Sequence, residues 1–201
     1  MKGLFRLLPT LAFLVPPALA DEMPIAQRPV FHVGDRFSYA DRFETIACRD
    51  WEVREVDPDG NPAMARCGDY TATYAPDGAI VRIAGKDGRS VVAFSPEAGA
   101  IPFPLQVGRR WQARFEVSTA GQMVSPTIDE SCEAAAIETV TVGGAPLQAF
   151  RIACTDRWSV AFLSGSSAST LWYAPDARAV VKALNAGSPD WNLQMTGYAF
   201  N

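Results

Sequence analysis

The chain predicts an all-β fold, an antiparallel β-sandwich or open half-barrel built from two divergent repeats. Three observations carry this. Apolar and polar residues alternate with a period of two through most of the chain after residue 34. Turn signals interrupt the alternation at spacings of roughly 8–12 residues. The same features also recur, in the same order, about a hundred residues apart.

The alternation is clearest in "RRWQARFEVS", where Trp111, Ala113, Phe115 and Val117 point one way and Gln112, Arg114, Glu116 and Ser118 the other. "DYTATY" sets Tyr70, Ala72 and Tyr74 against Thr71 and Thr73. "RWSVAFL" groups Trp158, Val160 and Phe162, and "WNLQM" groups Trp191, Leu193 and Met195. Turns are expected at "DPDGN" (57–61), "APDG" (75–78), "GKDGR" (85–89), "TAGQ" (119–122), "VGGA" (142–145) and "AGSPD" (186–190). Together these describe about twelve short strands.

"YAPDGAIVR" (74–82) and "YAPDARAVVK" (173–182) are nearly the same phrase. Their surroundings match too. "FHVGDRFSY" (31–39) reads like "LQVGRRWQA" (105–113), and each is followed by a cysteine, a strand, a turn, a strand and a second cysteine. Two halves are therefore expected, about 31–104 and 105–201, with the proline-rich "IPFPL" (101–105) as their seam. Tyr-Ala-Pro-Asp would mark where a strand ends and turns into the next, since proline ends ladder pairing and aspartate suits a turn.

The repeat also orders the four cysteines. Cys48 and Cys67 bracket "DPDGN", and Cys132 and Cys154 bracket "VGGA". Residues equidistant from a hairpin turn lie opposite one another, which predicts Cys48–Cys67 and Cys132–Cys154. Disulfides suit an exported chain.

Export is indicated by residues 1–20. Lys2 and Arg6 precede an apolar run too short to span a bilayer, and "ALA" at 18–20 fits a signal-peptidase site. The mature chain, from about Asp21, would form a single β domain, periplasmic or secreted, with no membrane span. Without Lys2 and Arg6 it carries 16 basic and 22 acidic side chains, a net charge of −6. That balance argues against nucleic acid and anionic membrane surfaces as partners.

"FPLQVGRRW" (103–111), "IETVTVGGAPLQAFRI" (137–152) and "LWYAPDARAVVKAL" (171–184) resemble segments of a broad domain-of-unknown-function class of small secreted bacterial β-proteins. That class has a "PLxVGxxW" opening and a "YAPxxxxVK" close. The resemblance implies export and an antiparallel sheet, and no activity. This chain departs from the class in its paired cysteines and in "DAR" (176–178), where a glycine is common.

The sequence carries no catalytic or cofactor signature. The one histidine, His32, has no nucleophile in a recognisable motif. "SGSSAS" (164–169) lacks nucleophile-elbow spacing and reads as a hairpin loop. Asp57, Asp59 and Asn61 alternate as calcium ligands do, but a turn accounts for them and EF-hand spacing is absent. "TIDESC" (127–132) reads as a solvated loop. Glu44, Asp50, Glu52 and Glu55 could supply a hydrolytic carboxylate pair, although Glu52 and Arg54 share what looks like an exposed face. No cofactor and no metal site is expected.

Tryptophan is the remaining signal. Trp111 and Trp158 alternate in phase with apolar neighbours and read as core. Trp172 faces away from Leu171 and Tyr173, and the matching position in the first half is Thr73. The expectation is a non-catalytic exported binding module holding a small or apolar ligand in a concave sheet, with Trp172 and Phe200 as ligand-binding candidates. An envelope structural or protein-interaction module is the alternative, and a carboxylate-pair hydrolase the second.

Overall fold

The computed structural model describes residues 24–42, 46, 48–187 and 192–201. The expected signal segment, Glu44 and Trp191 lie outside the described residues. Twelve strands follow one another: β1 (Arg36–Arg42), β2 (Asp50–Val56), β3 (Pro62–Cys67), β4 (Tyr70–Tyr74), β5 (Ile80–Ala84), β6 (Ser90–Ser95), β7 (Arg110–Thr119), β8 (Thr127–Val142), β9 (Ala145–Val160), β10 (Leu163–Ala174), β11 (Ala179–Asn185) and β12 (Leu193–Ala199). A 3₁₀ turn, Pro175–Ala177, stands between β10 and β11.

Each strand pairs antiparallel with the next, and β1 closes on β12 with Phe37 opposite Tyr198 and Tyr39 opposite Met195. The molecule is thus a closed barrel, which corrects the expected sandwich or open half-barrel. The all-β, antiparallel part of the expectation stands. Alternation along a strand reports one buried face, and a sandwich, an open sheet and a barrel all supply that. Closure depends on two strands about 160 residues apart finding each other, and it removes the exposed edges an open sheet would leave.

Inward positions form the core. Phe37, Trp51, Val53, Ala65, Ala72 and Ile83 are buried across β1 to β5, and Phe150, Ile152, Tyr173 and Val181 across β9 to β11. Outward positions are charged: Arg36 pairs with Glu52, and Arg66 sits opposite Glu52 in register. β1 to β6 are only five to seven residues long. Among the described residues no helix is long and apolar enough to cross a membrane.

Both disulfides form as expected, Cys48–Cys67 and Cys132–Cys154. Cys132 and Cys154 are direct cross-strand partners of β8 and β9, with Cα atoms 4.1 Å apart. Cys48 instead precedes β2 and reaches the last residue of β3.

Three local expectations are corrected. "SGSSAS" is strand, not loop: Ser164 to Ser169 lie in β10 and pair with β9. "TIDESC" likewise belongs to β8. Small polar residues are poor strand formers, but for "SGSSAS" pairing with the long strand β9 imposes the ladder. Phe162 shares no face with Trp158; it sits in the two-residue turn between β9 and β10 and is 94% exposed.

Candidate functional site

Eight strands suffice for side chains to fill a barrel, and twelve leave space over. Chain from outside the wall takes up part of it. The β6–β7 connection enters with Ile101 and Phe103 packed on inward-facing residues, and Leu105, fully buried, bridges to Ala26 of the N-terminal segment. A cavity of about 380 Å³ remains.

Its walls are apolar and aromatic. Phe37, Tyr39, Trp51 and Val53 supply one side, and Leu171, Tyr173, Ala183 and Leu193 another. Residues 98–101 and Phe103 close a third, with the Phe103 ring edge-on to Tyr173 at 5.3 Å. Burial pushes the Tyr173 phenol up from its ordinary value, so it stays a neutral hydroxyl.

The two Tyr-Ala-Pro-Asp turns meet at this cavity. Asp77, Gly78 and Ala79 line it from the first, and Arg178 and Ala179 from the second. Both turns lie at the same barrel end, because each follows an even-numbered strand of an up-and-down meander. Between them runs the N-terminal segment. Arg28 Nη1 donates to Pro76 O and to Asn61 Oδ1, both at 3.3 Å. Arg178 Nη1 donates to Val30 O at 2.8 Å, and Phe31 N donates to Gly60 O at 2.8 Å. Residues 28–31 therefore form a strap over the cavity, tied to each turn by one arginine.

Arg178 occupies a left-handed backbone position, φ +53°, where the first half has Gly78 at φ +87°. This is the "DAR" departure noted in the sequence. Its guanidinium also stacks over the Phe200 ring at 4.0 Å and reaches Asp35.

Neither ligand-binding candidate lines the cavity. Phe200 packs edge-on against Phe37 and under the Arg178 guanidinium, beside residues that line the cavity. Trp172 is in register with Lys182 and Arg151, on the face opposite Leu171 and Tyr173. Its indole N–H donates to Glu138 Oε2 at 2.8 Å, and Lys182 Nζ stands 4.7 Å from its ring. Arg28 and Phe37 are not singled out by sequence; Phe37 alternates with polar Arg36 and Ser38, and Tyr173 heads the second copy of the repeated phrase.

Asp50, Glu52 and Glu55, three of the candidate hydrolytic carboxylates, lie on β2, and none lines the cavity. Asp50 accepts from Ser38, and Glu52 pairs with Arg36 and Arg54. Asp57 is spent on its own turn, accepting from the backbone of Asp59 and Asn61 and from the Asn61 side chain. A different pair does face inward: Glu130 and Asp156, in register on β8 and β9. Burial, then the Asp156 charge, lifts Glu130 to about 7, and burial raises Asp156 as well. Asp156 Oδ1 is buried without a hydrogen-bond partner among the described residues. Glu130 lies against the outer side of Gly99, whose other side lines the cavity, so the pair itself does not line it. A Glu130 oxygen lies within 4.8 Å of the Cys132 and Cys154 sulfurs, but disulfide sulfurs offer no thiolate to a metal. The phase of Glu130 with Ile128 and Cys132 was the available sign that this acid points inward.

No protein-family model matches the chain, and no curated protein matches it. Among solved structures it is similar to a "putative lipoprotein" from Parabacteroides distasonis, with a TM-score of 0.54 and 9% identity, covering 88% of this chain and 100% of that one. At that identity the likeness concerns the fold alone.

Proposed function

We propose that this protein is an exported, non-catalytic binding module that holds a small apolar ligand inside its barrel. The observation that carries the reading is the cavity of about 380 Å³, within the size range of small-molecule sites and walled mainly by aromatic and aliphatic side chains. A few polar groups at its rim, Arg28, Asn61 and Arg178, would orient the ligand. The two disulfides fit an oxidising compartment, periplasmic or extracellular, and residues 1–20 fit a signal peptide that delivers the chain there.

We read the two halves as duplicated. In each set of six strands, Tyr-Ala-Pro-Asp follows the fourth, and a disulfide joins the segment at the second strand to the third. On this reading the phrase is repeated because two equivalent turns frame one cavity. The motifs shared with the class of small secreted β-proteins support membership of that class.

The test is a titration with N-phenyl-1-naphthylamine, a neutral apolar fluorophore, on the intact mature protein and on Ala65→Leu/Ala183→Leu, which fills the cavity from two walls. Saturable binding by the native protein, weakened about tenfold or more in the filled variant, supports the reading. Absent binding, or binding indifferent to filling, overturns it.

A further inference from the structure

The barrel end opposite the strap has a different character. The turns after odd-numbered strands gather there, as the Lys86–Asp69 ion pair between two of them shows. Two of its hairpins carry bulky apolar tips in water. Met123 is 99% and Val124 60% exposed on the β7–β8 turn; Phe162 is 94% and Leu163 56% exposed on the β9–β10 turn. Thr127 is in register with Ser159, so the two tips rise side by side.

The β9–β10 hairpin runs past the end of β11, with Ala186 N donating to Ala168 O at 3.0 Å just beyond it. Leu163 to Ala168 pair with β9, whereas β11 begins to pair only at Ser169. Among the described residues Leu163 to Ser166 are flanked by β9 alone, a projection of roughly 10–13 Å at about 3.3 Å per residue. Its turn is built against local preference: Ala161 takes φ +50°, a position glycine or asparagine normally fills, and Phe162 follows it.

Charge is missing from both hairpins. Residues 117–128 and 158–175 contain no Asp, Glu, Lys or Arg, in a chain that is 20% charged. Behind the tips, Arg114 pairs with Asp129 at 3.0 Å, Arg157 stands across the ladder from that same Asp129, and Lys86 and Arg89 pair with Asp69 and Asp87. A protein partner of ordinary size would require about 800 Å² of shape-matched surface with a polar rim, which narrow projecting loops do not present. A soft surface that closes around each tip does fit.

We propose that these two hairpin tips dock the protein on a lipid surface through zwitterionic headgroups, seating Phe162, Leu163, Met123 and Val124 at the acyl boundary. Docking there requires no anionic lipid and leaves the strap and cavity mouth facing away. It is independent of whether the cavity binds a ligand.

The experiment is flotation of the mature protein with phosphatidylcholine vesicles, at low and high salt and with or without anionic lipid. The expected result is flotation on pure phosphatidylcholine that survives high salt. Partitioning should fall about tenfold or more in Phe162→Ser/Met123→Ser and stay unchanged in Leu184→Ser, an exposed apolar residue on β11. Met123 and Phe162 are 99% and 94% exposed, so the melting transition of the tip variant should match the native one. Failure to float, flotation that needs anionic lipid and is lost in salt, or flotation indifferent to the tip substitutions would each overturn the proposal.

Discussion

The Arg178 guanidinium meets the fully buried Asp35 carboxylate at 3.3 Å and joins three distant stretches of chain. Asp35 also accepts from His32 N and Asn201 N, both at 2.9 Å. The second Tyr-Ala-Pro-Asp turn, the entry to β1 and the C-terminus thus converge on one carboxylate. Arg178→Ala leaves that carboxylate buried without its cation and should cost about 2–4 kcal/mol in urea unfolding. Arg178→Gly relieves the left-handed backbone and should cost about 1 kcal/mol less. Equal losses would mean that the backbone position carries no strain.

This convergence also shows what the sequence made legible. Gly60 and Gly143 announced their turns because positive φ leaves a residue-level mark. Cys132 and Cys154 could be paired because hairpin symmetry is local arithmetic. Barrel closure, the strap and the Asp35 hub were not legible, since each joins residues far apart in the chain and none requires an unusual residue at either end. "SGSSAS" misled because its composition is that of a loop, while its register is set by β9.

Stability should depend on pH through Glu130. Its folded value of about 7 lies above the ordinary 4.5, so the folded state binds the proton more tightly than the unfolded one. Stability is therefore full below about pH 4.5 and declines as pH rises through about 7, by roughly 3 kcal/mol in total. Asp156 is shifted in the same direction and adds to the trend. Glu130→Gln should flatten the profile and raise stability above pH 7 by about 2 kcal/mol. Chemical denaturation across that range checks the slope; stability that rises with pH would contradict it.

Each disulfide closes a short loop, with sequence separations of 19 and 22. Replacing either pair by alanine should lower stability by about 3 kcal/mol. Peptide mapping of the oxidised protein should recover Cys48 linked to Cys67 and Cys132 linked to Cys154, and a cross-half linkage would contradict the fold.

Strap and cavity should be coupled kinetically. Arg28 holds residues 28–31 to the first Tyr-Ala-Pro-Asp turn through Pro76 O and to the β2–β3 turn through Asn61 Oδ1, both at 3.3 Å. Arg28→Ala should speed release of a bound apolar probe by about fivefold in stopped-flow displacement while leaving the unfolding midpoint nearly unchanged. An unchanged release rate would mean that the ligand does not leave past the strap.

The central claim is that the barrel encloses a ligand. Native mass spectrometry of protein purified from the cell envelope, before and after organic extraction, tests it most directly. The account predicts a mass above that of the polypeptide with its two disulfides, falling to it on extraction, with the difference naming the ligand's chemical class. A bare polypeptide mass before extraction, together with no uptake of added N-phenyl-1-naphthylamine, would contradict it.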